Sequence, residues 1–154
     1  MEVKSAETKT PILDIRLTDG PVHYEPPPDG LPTGGGENAF LGRTRSELHP
    51  VHGELRLLRY EAKASMAQKL MAAIAAEAAA SHGLLFVRMV HGLGDVPVGE
   101  ASVLVQVVGE HRRETFAATA ELMDRLKSKV PIWKQEVWAD GATWKDGQVV
   151  DPAS

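Results

Sequence analysis

The alternation of apolar and polar positions changes period several times along this chain, and each change marks an element. Ile12 to Leu17 alternates with the two-residue period of a short first strand, after a polar stretch over residues 1–10 that reads as a mobile N-terminus. From Asp19 to Gly36 the pattern dissolves. Pro26, Pro27, Pro28, Pro32 and the triplet Gly34, Gly35, Gly36 predict a long surface loop there. AFLGRTR (39–45) and ELRLLRY (54–60) read as strands on either side of a turn-rich stretch, and their succession predicts that they pair antiparallel. Ala64 to Ser81 predicts a helix, with Met66, Leu70, Ala73, Ile74 and Ala78 on one face and Gly83 as its stop. Leu84 to Val90 and Ala101 to Val108 are apolar and β-branched, which predicts two core strands separated by the loop HGLGDVPVGE.

The run HRRETFAATAELMDRLKSKVPIWK, His111 to Lys134, predicts an amphipathic helix ended by Pro131. Phe116, Ala120, Met123 and Lys127 recur at i, i+4, i+7 and i+11, which places Lys127 in phase with an apolar stripe. Arg112 and Arg113 fall in the first turn, where the positive end of the helix dipole disfavours cations unless an anion is present. Ile132 to Trp138 then resumes an extended pattern. Asp140 and Gly141 mark a turn before a return strand over Thr143 to Val149. Interleaved strands and two principal helices define an α+β sandwich, helices packed on a mainly antiparallel sheet, with residues 11–150 as one domain.

Composition narrows the function classes. The 154 residues are 43% apolar and 25% charged, ordinary values for a globular protein. A formal net charge of −4 argues against a general nucleic-acid binder. The chain holds no cysteine, so any sulfur chemistry needs sulfur brought from elsewhere. No signal-peptide core or membrane span is evident, which makes a cytoplasmic location the expectation and a membrane partner unexpected.

Two readings fit Lys127 and Lys134: solvated or snorkelling side chains, or two ammonium groups converging on one pocket. His111 and Arg112 fit either an exposed helix start or a phosphate-binding pair. Arg43 and Arg45, two apart in a strand, share a face that is either solvent or a cationic wall. HGLG lacks the length and the ending of a phosphate loop, and His49 and His52 lack metal-ligand spacing. No metal site is expected.

The segments HGLGDVPVGEASVLVQV, HRRETFAA and KSKVPIWKQE, with FLGRTR and LRYEA, resemble the large, catalytic subunit of molybdopterin synthase over about Ala39 to Trp144. The resemblance implies an α/β hammerhead-like fold and a homodimer, with a small ubiquitin-like sulfur-carrier subunit docked at each end. It implies that the carrier's C-terminal Gly-Gly thiocarboxylate delivers sulfur to cyclic pyranopterin monophosphate to form molybdopterin, with no cofactor. By the same resemblance Lys127 and Lys134 match the catalytic lysines. His111 and Arg112, together with Arg43, Thr44, Arg45, Gln135 and Glu136, match substrate-binding positions. Gly92 departs from the arginine, and Thr115 from the alanine, that relatives carry. A non-catalytic dimeric homologue that binds the carrier or a phosphate ligand is the rival reading.

Overall fold

The structure, a computed structural model, describes residues 10–144. Its elements run β1 (Ile12–Asp19), β2 (Gly36–Arg43), β3 (Leu48–His49), β4 (Gly53–Ala62), α1 (Ala64–His82), β5 (Phe86–Pro97), β6 (Ala101–Gly109), α2 (Arg112–Lys129), β7 (Ile132–Trp138) and β8 (Gly141–Trp144). The expected last strand continues past Trp144 into residues outside the described range, as does most of the expected mobile N-terminus.

The strands form one sheet in the order β2-β6-β5-β4-β7-β8, with β1 added parallel to β5 and β3 added to β4. Every pairing except β1 with β5 is antiparallel. The α+β class and the two helices agree with the sequence reading; one strand pairing does not. Strands β2 and β4 are not neighbours: β2 lies on β6, and β4 lies between β5 and β7. The reason is β5, which does not stop at Val90. It runs on through the expected HGLG loop to Pro97, and its two halves serve different partners. Phe86 to His91 pairs with β6, whereas Gly94 to Pro97 pairs with β4, so β5 carries the sheet from one half to the other.

Both helices pack on the β1, β2, β5 and β6 half and against each other. The main core joins Met71, Ile74 and four alanines of α1 to Val87 and Met89, Val103, Val105 and Val107, and Ala118, Leu122 and Leu126 of α2. The buried face of α1 is Ala67, Met71, Ile74, Ala75, Ala78 and Ala79, rotated from the expected one, and Met66 is exposed. A helix with alanine on every side has no steep apolar stripe to read. Its short side chains instead permit close approach to α2 and the sheet. Gly83 ends α1 in the left-handed conformation at φ 63°, with its N–H donating to the Ala79 carbonyl.

The phase of α2 is likewise one residue from expectation. Thr115, Ala118, Thr119, Leu122 and Leu126 face the core, while Phe116 and Ala120 are exposed. Thr115 and Thr119 bury their methyl groups because their hydroxyls donate back to the carbonyls of Arg112 (2.8 Å) and Thr115 (2.7 Å). Lys127 therefore sits on an exposed side of the helix.

The proline- and glycine-rich segment is irregular, as expected, but it is fastened over the sheet's other face. Val22 is buried and bridges to Ala101, and Leu31 packs on Leu85, Phe86 and Val108. The buried Arg88 guanidinium donates to the carbonyls of Glu25 and Pro26, to Gln106 Oε1 (2.9 Å) and to Asp14 Oδ2 (2.7 Å). Gly34 and Gly35 lie flat on the turn between β6 and α2, where an added Cβ would come within 2.5 Å and 2.3 Å of carbonyl oxygens.

Candidate active site

A cavity of about 970 Å³ opens where the C-terminal end of α2 meets the end of β2 and the strands β4, β5, β6 and β7. Among the described residues, Arg43, Arg45, Lys127, Lys129 and Lys134 line it, and Glu61 is the one carboxylate in the lining. Five cations against one carboxylate, in a chain of net charge −4, make this a concentrated positive site. The apolar part of the wall includes Phe40, Met123, Leu126, Ile132 and Trp133. The dipole of α2 favours Lys127 and Lys129 in its last turn.

Each cation reaches the cavity for a local reason. Val130 leaves α2 in an extended conformation, and the chain turns through Pro131 directly into β7. That turn carries Lys134 back towards the helix end that holds Lys127. Strand β7 is kept in register by β4, which sets Lys134 opposite Tyr60. Arg43 closes β2 with its guanidinium donating to the Gly99 carbonyl (3.0 Å), and Arg45, largely exposed, lies 3.6 Å from Glu47. Thr44, between them, turns the other way: it is buried, with its hydroxyl 3.3 Å from the Val96 carbonyl, and serves the fold rather than the cavity wall. Gln135 and Glu136 follow Lys134 on β7, half-buried, and are not part of the lining.

His111 and Arg112 lie elsewhere. With Gly35, Glu110, Arg113 and Glu114 they line a second hollow, of about 730 Å³, at the N-terminal end of α2. At 1.5 Å per residue, the helix separates Arg112 from Lys127 by about 22 Å. Two arginines there face two carboxylates, and His111 Nδ1 lies 3.3 Å from Glu114. The first-turn arginines thus have carboxylates beside them and do not by themselves require a bound anion.

The floor of the large cavity contains polar groups that the sequence reading passed over. His91 is 7% exposed and Ser102 6%. Tyr60 donates to Ser102 Oγ at 3.1 Å and meets the His91 ring edge-on, centroids 4.8 Å apart. His91 Nδ1 lies 2.7 Å from the Gly92 carbonyl oxygen. Burial holds the imidazole below its ordinary pKa, and the positive charge of Lys134 acts in the same direction. Burial also raises the Tyr60 phenol. One signal was present in the sequence. A histidine that ends an apolar run, at a strand position with both faces covered, needs a reason to be there.

The departure at Gly92 also has a physical basis. A Cβ at this position would stand 2.1 Å from the Gly20 carbonyl oxygen, because β1 leaves the sheet directly across β5. No side chain fits without moving that backbone. Thr115, the other departure, is accommodated by its back-bonded hydroxyl.

Among the described residues no group of three or more histidine, aspartate or glutamate side chains is placed to hold a metal. No helix there is long and apolar enough to cross a membrane.

A family model, MoaE protein, matches residues 28–129, and the chain belongs to this family. A molybdopterin synthase catalytic subunit of rice (Oryza sativa subsp. indica) is 46% identical over 91 residues, which cover 59% of this chain and 47% of that protein. The chain thus spans about half the length of this relative. The crystal structure of molybdopterin synthase from Staphylococcus aureus superposes with a TM-score of 0.75 at 30% identity, covering 84% of this chain and 94% of that one. A complex of subunits 1 and 2 of molybdopterin-converting factor from Helicobacter pylori shares the fold, with a TM-score of 0.67 at 17% identity over 88% of this chain and 92% of that chain.

Proposed function

We propose that this protein is the catalytic subunit of a molybdopterin synthase, a sulfurtransferase of molybdenum cofactor biosynthesis. It takes sulfur from the C-terminal Gly-Gly thiocarboxylate of a small ubiquitin-like carrier and delivers it to cyclic pyranopterin monophosphate. The observation that carries this reading is the cavity whose described lining holds five cations and one carboxylate. A phosphate and a thiocarboxylate repel each other, and clustered ammonium and guanidinium groups offset that repulsion. The absence of cysteine fits a division of labour in which sulfur arrives activated on the partner.

Lys127 and Lys134 are the catalytic pair in this reading, with Arg43 and Arg45 binding substrate anions beside them. Thr44, Gln135 and Glu136 are adjacent in sequence to these cations but outside the described lining, and in this reading they act on substrate only indirectly, by holding Arg43, Arg45 and Lys134 in place. His111 and Arg112 act from a second copy in a homodimer, since about 22 Å of helix separates them from the lysines of their own chain. Two such chains with two carriers make a heterotetramer, working in the cytoplasm and without a cofactor. Residues 11–150 make up one domain in this reading.

Incubation with a thiocarboxylated carrier and cyclic pyranopterin monophosphate tests the proposal. Molybdopterin is the expected product. No product from a carrier that demonstrably binds would refute the activity and leave a non-catalytic carrier-binding protein.

A further inference from the structure

We infer that His91 is the proton acceptor of the large cavity, acting on the water that frees the sulfur-bearing product from the carrier. The inference rests on the sulfur transfer proposed above and adds a residue to it.

The hydrogen bonding of the ring fixes its tautomer. A carbonyl oxygen only accepts, so the 2.7 Å contact from Nδ1 to the Gly92 carbonyl requires the proton on Nδ1. In the neutral ring Nε2 then carries a lone pair, and among the described residues it has no hydrogen-bond partner. The ring lines the cavity and is held at its place by the edge-on contact with Tyr60, which Ser102 orients in turn. The other charged and titratable groups among the described lining residues are Glu61 and Tyr60 of β4, Lys134 of β7, Lys127 and Lys129 of α2, Arg43 of β2 and Arg45 just beyond it. Cations dominate that set and disfavour an imidazolium.

The other groups suit the role less well. An ammonium or guanidinium donates only. The Tyr60 phenol is held protonated by its burial. Glu61 is exposed at the rim, opposite Trp133 on β7. Among the described residues of the wall, His91 is the one that is buried, tautomerically fixed and able to accept.

The reaction needs such a group at one step. Once the carrier's thiocarboxylate sulfur has bonded to a substrate carbon, the carrier remains attached through an acyl–sulfur bond. Water adds to that acyl carbon and gives one proton to Nε2. The acyl–sulfur bond then breaks, and the sulfur leaves with the electron pair as a thiolate. Nε2–H returns its proton to the thiolate, and the carrier departs as the carboxylic acid, which ionises in solvent. One water is consumed and His91 ends neutral.

His91→Asn and His91→Gln test this against wild type in the full reaction with carrier and substrate. The expected loss in kcat is on the order of 10²–10⁴-fold with KM little changed. A covalent carrier–substrate adduct should accumulate and be visible by mass spectrometry of the intact carrier. The acid limb of the kcat profile should disappear with the imidazole. If both variants turn over within about twofold of wild type and show no adduct, the inference fails while the proposed function stands. If wild type itself makes no product, the proposed function fails first. Nitrogen NMR of the free protein gives a readout independent of activity. Nδ1–H with a bare Nε2 at neutral pH is expected, and an Nε2–H tautomer overturns the assignment even if the variants lose activity by unfolding.

Discussion

The two ends of α2 both gather cations, and the difference between them shows what turns basic residues into a site. At the N-terminal end Arg112 and Arg113 sit beside Glu110 and Glu114 in an exposed hollow whose formal charges cancel. At the C-terminal end Lys127 and Lys129 meet Lys134, Arg43 and Arg45 from other segments, and Glu61 is the one carboxylate among the described lining residues. The helix supplies two of those five cations, Lys127 and Lys129. The sheet supplies the rest, through the turn at Pro131 and the register of β7 on β4. The floor beneath it holds the buried polar residues His91 and Ser102, which line the cavity.

The sharpest way to break this contrast is Lys127→Ala. Lys127 is exposed, so its loss should leave stability within about 0.5 kcal/mol of wild type in thermal or urea unfolding. Molybdopterin formation should fall by about 10²–10³-fold, the scale of removing one charge stabiliser from a transition state. Lys134→Ala should act similarly on turnover. Wild-type rates in either variant would show that the positive cavity is not where sulfur moves.

Arg112→Ala probes the other end and should cost less, about 10-fold in kcat/KM, because it binds rather than reacts in this reading. Its location makes a stronger test. If His111 and Arg112 work across a dimer, mixing Lys127→Ala with Arg112→Ala chains leaves one intact site in each mixed dimer, and about a quarter of wild-type activity should return. Absence of any recovery, with subunit exchange verified, would confine the N-terminal hollow to some other role.

Much of this architecture was legible in the sequence. Both helices, the turn at Pro131 and the core strands follow from period and punctuation, since those signals are local. The remaining features depend on contacts that the sequence alone does not display. The phase of α2 was misplaced because Thr115 and Thr119 count as polar until their hydroxyls are seen bonded to their own helix. The pairing of β2 and β4 was misjudged because HGLG reads as a loop, whereas β5 continues through it and recruits β4 at Gly94. Lys127 and Lys134 emerged from spacing and resemblance, and the separation of His111 and Arg112 from them emerges only from helix rise. His91 was missed for the same reason as the strand, since it lies in the segment read as a loop.

The smallest predicted effect contrasts the two histidines. Burial lowers the pKa of His91 in the folded chain below the ordinary imidazole value of about 6.5, so between the folded and unfolded values the unfolded chain binds more protons. Stability from this group is therefore complete above about pH 6.5 and is lost as pH falls through the window below it, with a slope of at most about 1.4 kcal/mol per pH unit for one proton. Urea unfolding from pH 7 to pH 5 should show this slope in wild type and in His111→Asn, whose exposed side chain lies at the other end of α2. His91→Asn should flatten it. Asp14, held below the ordinary carboxylate range because its bonds to Arg16 and Arg88 outweigh its burial, keeps its contribution until more acidic pH and so does not obscure the window. A slope that persists in His91→Asn would place the titrating group elsewhere, and a slope lost in His111→Asn would reverse the contrast between the two ends.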